Sequence, residues 1–401
     1  MTTASERWIR PVTAGVVTAL VGFTSAFVVV LTGLKAVGAT TEQASSGLLA
    51  VSLTMGLASI LLASWTRLPI TVAWSTPGAA LLAATGTVDG GWPAAVGAFL
   101  IVGLLIVLTG LIPQLGALIA RIPASVAQAM LAGILFQLCL GPVTGLAANP
   151  IQVAPVVLVW LLALRFAKRW AVPLAFLTAA IIIAINVAQS GASVPAATLA
   201  PRVDLTAPTF TVSALVGIAL PLYLVTMASQ NVPGVSVMKS LGYEVPWRRS
   251  MIVTGVGTAA GAPAGGHAIN LAAISAALAA GPEAGEERGR RWIASATSGA
   301  AVIVLGIASA GFGVLVSLAP TGVIAAVAGL ALLATFGASI KAAVDVPGEQ
   351  IPAAVTFVTA ASGIAIWGVS AAFWALVAGI AVRGVLRWRD GGGQSGMARI
   401  P

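Results

Sequence analysis

Apolar runs of about 20 residues recur along almost the whole chain, the length an α-helix needs to cross a bilayer core. Lipid offers no hydrogen bonds, so a spanning backbone must satisfy itself as a helix or as a closed barrel. The runs are rich in Leu, Val, Ile, Ala and Gly and lack the alternation of barrel strands. They describe an all-α polytopic membrane protein. Composition agrees: of 401 residues 59% are hydrophobic and only 8% charged, with mean hydropathy +1.03, where a soluble domain carries about 25% charged residues.

Read in order, the apolar runs number about fourteen. They fall at 11–34, 45–65, 75–88, 92–112, 123–140, 151–166, 171–189, 210–232, 249–261, 265–281, 292–316, 321–339, 350–363 and 366–384. The first exceeds a signal-peptide core and has no A-x-A site directly after it, so it reads as a retained helix. With the N-terminus placed in the cytoplasm and the sides alternated, only Lys35 and Arg202 of the 20 basic residues fall outside. This is the positive-inside pattern of a multi-pass inner-membrane protein with both termini cytoplasmic. Shifting the count by one segment would scramble it. Orientation and anionic lipid thus account for the net charge of +9 without nucleic acid.

Catalytic chemistry finds little here. The single Cys139 lies in an apolar run and cannot form an internal disulfide. No Cys/His cluster suggests a metal, and no nucleophile–base pair suggests an enzyme. The glycine-rich stretch 255–261 does not fit dinucleotide or phosphate-loop spacings, and close helix packing explains it. No cofactor is expected beyond a coupling ion.

Fourteen segments divide seven plus seven. An odd number per half inverts the second half against the first, as in inverted-repeat transporters. The repeats would be 1–190 and 208–390, followed by a cytoplasmic tail at 391–401. Matching irregularities support the division. Leu68-Pro-Ile-Thr-Val-Ala-Trp74 is a short β-branched stretch, followed by Ser75-Thr-Pro-Gly78 and a short apolar helix. In the second half, a glycine-proline break leads into Gly265-Gly-His-Ala-Ile-Asn270 and another helix. Both fall in the third segment of their half, giving short strands and half-helices in spans 3 and 10. Ser75 or Thr76 can cap a helix with Pro77 near its start. Gly265 and Gly266 let backbone approach a ligand. Half-helices starting near the membrane middle would aim two positive ends at one space, which favours an anion.

Polar residues gather at the same level. Gln230 and Asn231 are adjacent amides in an apolar run, and Tyr223, Thr226 and Gln230 share a helical face. Such amides either bind substrate or join helices. His267, the only histidine, and Asn270 are spaced i, i+3, again one helical face. None of the eleven acids lies securely inside a segment unless Asp345, Glu349 or Glu244 folds inward. His267 is therefore the main candidate for carrying a proton. An anion and a proton binding side by side would reinforce each other, as a symporter requires.

Three stretches together resemble the benzoate/proton symporter (BenE) family: Thr71-Val-Ala-Trp-Ser-Thr-Pro-Gly-Ala-Ala-Leu-Leu82, Val225-Thr-Met-Ala-Ser-Gln-Asn-Val-Pro-Gly234 and Gly265-Gly-His-Ala-Ile-Asn-Leu-Ala-Ala-Ile274, with Gly281-Pro-Glu283 after them. The resemblance covers nearly the whole chain. It implies uptake of benzoate, or a related aromatic carboxylate, across a bacterial inner membrane by alternating access, driven by the proton gradient. It also implies a core domain of spans 1–4 and 8–11 and a gate domain of the rest, as in nucleobase symporters and related anion carriers. Such carriers often pair as homodimers through their gate domains. The substrate would lie at Ser75–Gly78, Gln230, Asn231 and His267–Asn270, with Phe23, Phe27 and Trp74 offering an apolar slot for the ring. Nucleobase carriers use acids in spans 8 and 10, where this chain has Gln230 and His267, and the absence of fixed negative charge suits an anion. Three alternatives stay open: a nucleobase symporter, an anion channel or exchanger, and passage of benzoate with its own proton as the neutral acid.

Overall fold

The structure, a computed structural model, describes residues 6–190, 195–273, 275–366 and 369–391. The chain opens with α1 (Glu6–Thr24), α2 (Phe27–Ala36) and α3 (Thr41–Thr66), then a short strand β1 (Val72–Trp74) and the half-helix α4 (Thr76–Thr85). Next come α5 (Gly91–Leu111), α6 (Pro113–Ala120), α7 (Ala124–Cys139), α8 (Gly141–Ala148), α9 (Pro150–Phe166) and α10 (Ala171–Ser190). The second half holds α11 (Val212–Ser240), α12 (Trp247–Gly261), strand β2 (Ile269–Leu271) and α13 (Ala276–Ala280). It ends with α14 (Trp292–Ile307), α15 (Ser309–Ser317), α16 (Val323–Val344), α17 (Gln350–Ala361) and α18 (Ala371–Gly391). Of the expected tail 391–401, residues after Gly391 lie outside the described residues.

Among the described residues, eight helices are long and apolar enough to cross a membrane, or nine if the pair Arg288–Ile307 and Ser309–Ser317, bent by 53°, counts as one span. The sequence count of about fourteen is larger because it included shorter helices, such as Pro150–Phe166 and Gln350–Ala361, and the two broken segments. The protein is a mostly helical, multi-pass membrane protein.

Packing sorts the helices into two groups. In one, α3 packs on α14, α5 on α12, α1 on α14 and α2 on α4. In the other, α7 packs on α16 and α17, α17 on α18, and α9 on α10. Small residues set these distances. A Cβ added to Gly33 would fall 2.4 Å from the Ala79 carbonyl oxygen, so α2 and α4 touch backbone to backbone.

The two breaks meet. β1 and β2 pair antiparallel, with Val72 opposite Leu271, Ala73 opposite Asn270 and Trp74 opposite Ile269. A two-stranded ribbon inside a membrane leaves two open edges, and lipid cannot satisfy them. Side chains do so instead. Ser59 on α3 receives Val72 N–H at 2.9 Å and donates to Val72 O at 3.2 Å, and Trp74 N–H reaches Met55 Sδ at 3.1 Å. On the other edge Ile269 N–H donates to Thr258 Oγ1 at 3.0 Å and Leu271 N–H to Asn231 Oδ1 at 2.9 Å.

The strand corrects one sequence expectation. His267 and Asn270 do not share a helix face, because residues 265–271 are not helical and the helix begins only at Ala276. Pairing with β1 draws the backbone out and leaves five residues for α13. The two half-helices are thus unequal, and the fuller positive end belongs to α4.

Candidate functional site

Ser75 joins the ribbon to α4. Its N–H donates to Ala268 O at 2.8 Å, its Oγ receives Gly78 N–H at 3.1 Å, and Thr226 Oγ1 donates to the same Oγ at 2.8 Å. Ser75, one of the two residues the sequence offers as N-cap, is the one that caps α4, and it also fastens α11 to the break. Pro77 has no N–H, and the Gly78 and Ala79 N–H groups bond to Ser75. Thr76 is therefore the residue of this first turn with an uncommitted backbone donor. Gly78 is packed tightly: a Cβ there would meet Leu222 Cδ1 at 2.4 Å and Ser75 Oγ at 2.7 Å.

A cavity of about 340 Å³ lies against this turn, within the size range of small-molecule sites. Thr76, Pro77, Trp74, Ala73 and Gln230 line it, with Phe23, Met55, Leu135 and Val302 as apolar walls. Lys168 and Arg169 line it too, and they are the charged residues among its lining. Of the residues expected to contact substrate, Phe23, Trp74, Thr76, Pro77 and Gln230 border this space.

The others stand behind it. His267 is 1% exposed, with Nε2 at 3.3 Å from the Ser75 carbonyl oxygen. A carbonyl only accepts, so Nε2 carries the hydrogen and Nδ1 presents a lone pair. Nδ1 meets no partner, and neither amide atom of the fully buried Asn270 meets one. Gly265 has φ +86°, and a Cβ there would meet Trp92 at 2.9 Å, so this glycine serves packing and a left-handed turn. A Cβ on Gly266 would meet the Gly261 carbonyl oxygen at 2.9 Å. Asn231 clamps the β2 edge and donates through Nδ2 to Met227 Sδ at 3.1 Å, which makes it a strut of the ribbon. Tyr223 turns to α5, where its hydroxyl lies 2.5 Å from Thr109 Oγ1.

The shared face predicted for Tyr223, Thr226 and Gln230 is thus split among α5, Ser75 and the cavity. Two π-helical turns, Leu215–Ala219 and Met227–Asn231, rewind α11 on either side of Thr226. Such turns change the angular phase of everything after them. Thr226, which the face assignment grouped with Tyr223 and Gln230, instead bonds to the Ser75 cap.

The aromatic wall also shifts by one turn. Phe23 lines the cavity and packs on Trp74, with ring centres 5.2 Å apart. Phe27 is fully buried behind it, 4.7 Å from Phe312 and 4.8 Å from Phe176. Phe176 belongs to the second helix group, so this cluster joins the two groups.

Glu349 does fold inward, yet far along the chain from the breaks. It is 5% exposed just before α17, takes Arg383 Nε at 2.7 Å and Arg387 Nη2 at 2.9 Å, and accepts from Ser125 on α7 at 3.2 Å. Burial raises its carboxyl pKa, but the two arginines and Ser125 outweigh that and hold it below the ordinary value.

Comparison with known proteins fits this geometry. The "Benzoate membrane transport protein" family model (BenE) matches residues 7–385. The inner membrane protein YdcO of Escherichia coli (strain K12) is 36% identical over 367 residues, covering 91% of this chain and 93% of that protein. The benzoate membrane transport protein of Acinetobacter baylyi is 30% identical over 379 residues, covering 94% and 95%. Among solved structures, the transmembrane domain of the cyanobacterial bicarbonate transporter BicA superposes with TM-score 0.60 at 15% identity, covering 93% of this chain and 98% of that one. The murine Slc26a9 anion transporter in its inward-facing state gives 0.61 at 14% identity, covering 97% and 70%. These two share the fold. The chain belongs to the benzoate membrane transport (BenE) family, a family of membrane transporters and not of enzymes.

Proposed function

We propose that this protein is a secondary active transporter that takes up benzoate, or a close aromatic carboxylate, with a proton. One observation carries the substrate class. The cavity combines aromatic walls at Phe23 and Trp74 with the start of α4 and the Gln230 amide, and no carboxylate stands among its lining residues. The ring would lie against the aromatic walls. The carboxylate would take the Thr76 donors and the amide of Gln230, where the positive end of α4 offsets part of its desolvation.

His267 is the group we assign to the proton. A proton arriving at Nδ1 puts a positive charge one hydrogen bond behind Ser75, which caps the anion-facing helix. Anion and proton would then raise each other's affinity by the same factor. In the observed state Nδ1 is sealed from the cavity, so proton exchange belongs to another state of the cycle. No further cofactor is needed.

Alternating access would move the two helix groups against each other, as core (spans 1–4 and 8–11) and gate (spans 5–7 and 12–14), within inverted repeats 1–190 and 208–390. If both termini and the Lys168–Arg169 turn lie on the cytoplasmic side, as the excess of basic residues on one side suggests, the cavity would lead inward. A competition assay tests the substrate class. Labelled benzoate in proteoliposomes should be displaced by unlabelled benzoate and not by uracil; stronger displacement by uracil would refute it.

A further inference from the structure

We propose that Lys168 and Arg169 form a second carboxylate station at the cavity's cytoplasmic mouth, and that Glu283 competes with the substrate for Arg169. The proposal rests on the benzoate assignment above and extends it from the break to the exit route. Lys168 and Arg169 sit in the turn Lys168–Trp170 between α9 and α10, and both border the cavity. Glu283 sits in the turn Pro282–Ala284, immediately after the half-helix α13. Arg169 Nη1 lies 3.6 Å from Glu283 Oε2. The pair therefore ties the turn before α10, in one helix group, to the end of the broken segment in the other.

Glu283 shows what the Arg169 guanidinium accepts there: a carboxylate. A substrate carboxylate leaving Thr76 and Gln230 would find the same cation on the lining of the same cavity, with Lys168 adjacent. Both side chains of the ion pair are just over half exposed, at 56% and 55%. Exposed pairs are weak, which allows one carboxylate to replace another. In this arrangement benzoate binding at the mouth and opening of the Arg169–Glu283 latch are one event.

The latch and the station predict different signs. R169Q and E283Q break the same ion pair. A purely structural latch would shift transport in the same direction in both. A station loses its cation in R169Q and gains a free cation in E283Q. The test is counterflow of labelled benzoate by the full chain in oriented proteoliposomes, with half-saturation measured from each face and folding checked by gel filtration and thermal unfolding. From the cytoplasmic face, R169Q should raise the half-saturation concentration roughly fivefold and E283Q should lower it roughly two- to fivefold, the scale of one screened charge pair. The conservative R169K should recover most of the loss, K168Q should shift it as R169Q does, and the external face should stay unchanged. Shifts of the same sign in R169Q and E283Q, or shifts under twofold in both, overturn the station. If the wild type itself shows no saturable benzoate counterflow, the substrate assignment fails and the station falls with it.

Discussion

Ser75→Ala probes the join between the ribbon and α4. The Ser75 Oγ is fully buried and receives two hydrogen bonds, from Gly78 N–H at 3.1 Å and from Thr226 Oγ1 at 2.8 Å. Loss of an N-cap oxygen typically costs about 1 kcal/mol. A buried hydroxyl left without its acceptor adds about 1–3 kcal/mol, although hydrogen bonds within membranes average nearer to about 0.6 kcal/mol. The expected destabilisation is therefore about 2 kcal/mol. Thr226→Val removes the orphan at its source and leaves the cap in place, so it should cost less, about 1 kcal/mol. In the double variant the orphan is absent. The two changes should sum to less than their separate costs, with a coupling of about 1 kcal/mol. Unfolding of the four proteins in mixed micelles measures this, and benzoate uptake by the same preparations should fall with loss of the cap. A Ser75→Ala protein as stable as wild type, or a cycle additive within about 0.3 kcal/mol, would refute the junction described above.

Asn231→Ala should destabilise the protein by about 1–3 kcal/mol, because the Leu271 N–H loses its acceptor in a dry interior; benzoate half-saturation in the surviving folded fraction should change little, and a large selective rise would make Asn231 a substrate contact after all. Gln230→Ala should do the reverse, raising half-saturation about tenfold with stability within about 0.5 kcal/mol of wild type, as read by uptake and unfolding together. His267→Gln should bind benzoate, measured by ligand-dependent thermal stabilisation, yet lose accumulation driven by a pH gradient; a variant that still concentrates benzoate uphill removes His267 as the proton carrier. Glu349→Gln should lose about 1–2 kcal/mol at neutral pH, less than a fully enclosed pair because Arg383 and Arg387 can turn to solvent. Its sign with pH follows from a carboxyl pKa held below the ordinary value. The wild-type advantage is complete above the unfolded-state pKa of about 4.3 and disappears as pH falls through the lower folded value, so unfolding curves of the two proteins should converge in acid.

Much of this architecture is legible in the sequence because the membrane simplifies the grammar. Apolar length marks helices, and Ser75-Thr-Pro-Gly78 carries its own capping chemistry. The pairing of the two breaks is less visible. Three-residue strands leave no periodicity to read, so the His267–Asn270 spacing suggests a helix until the register with Val72–Trp74 is known. The π-helical turns of α11 are equally silent in sequence, yet they decide that Tyr223 meets Thr109 while Gln230 meets the cavity. The edge donors of the ribbon gave Asn231 a structural task that its residue type alone could not separate from substrate binding. Lys168 and Arg169 were hidden for another reason: as loop cations they satisfied the orientation rule, and only the three-dimensional lining of the cavity gives them a second role.

The most direct test of proton-coupled carboxylate transport is accumulation of labelled benzoate in proteoliposomes holding the purified full chain, with and without an imposed pH gradient. The wild type should concentrate benzoate above that of protein-free liposomes only when the gradient is present, saturably, and should release it when the gradient is collapsed. Equal rates with and without the gradient, or uptake indistinguishable from that of protein-free liposomes, would contradict the account.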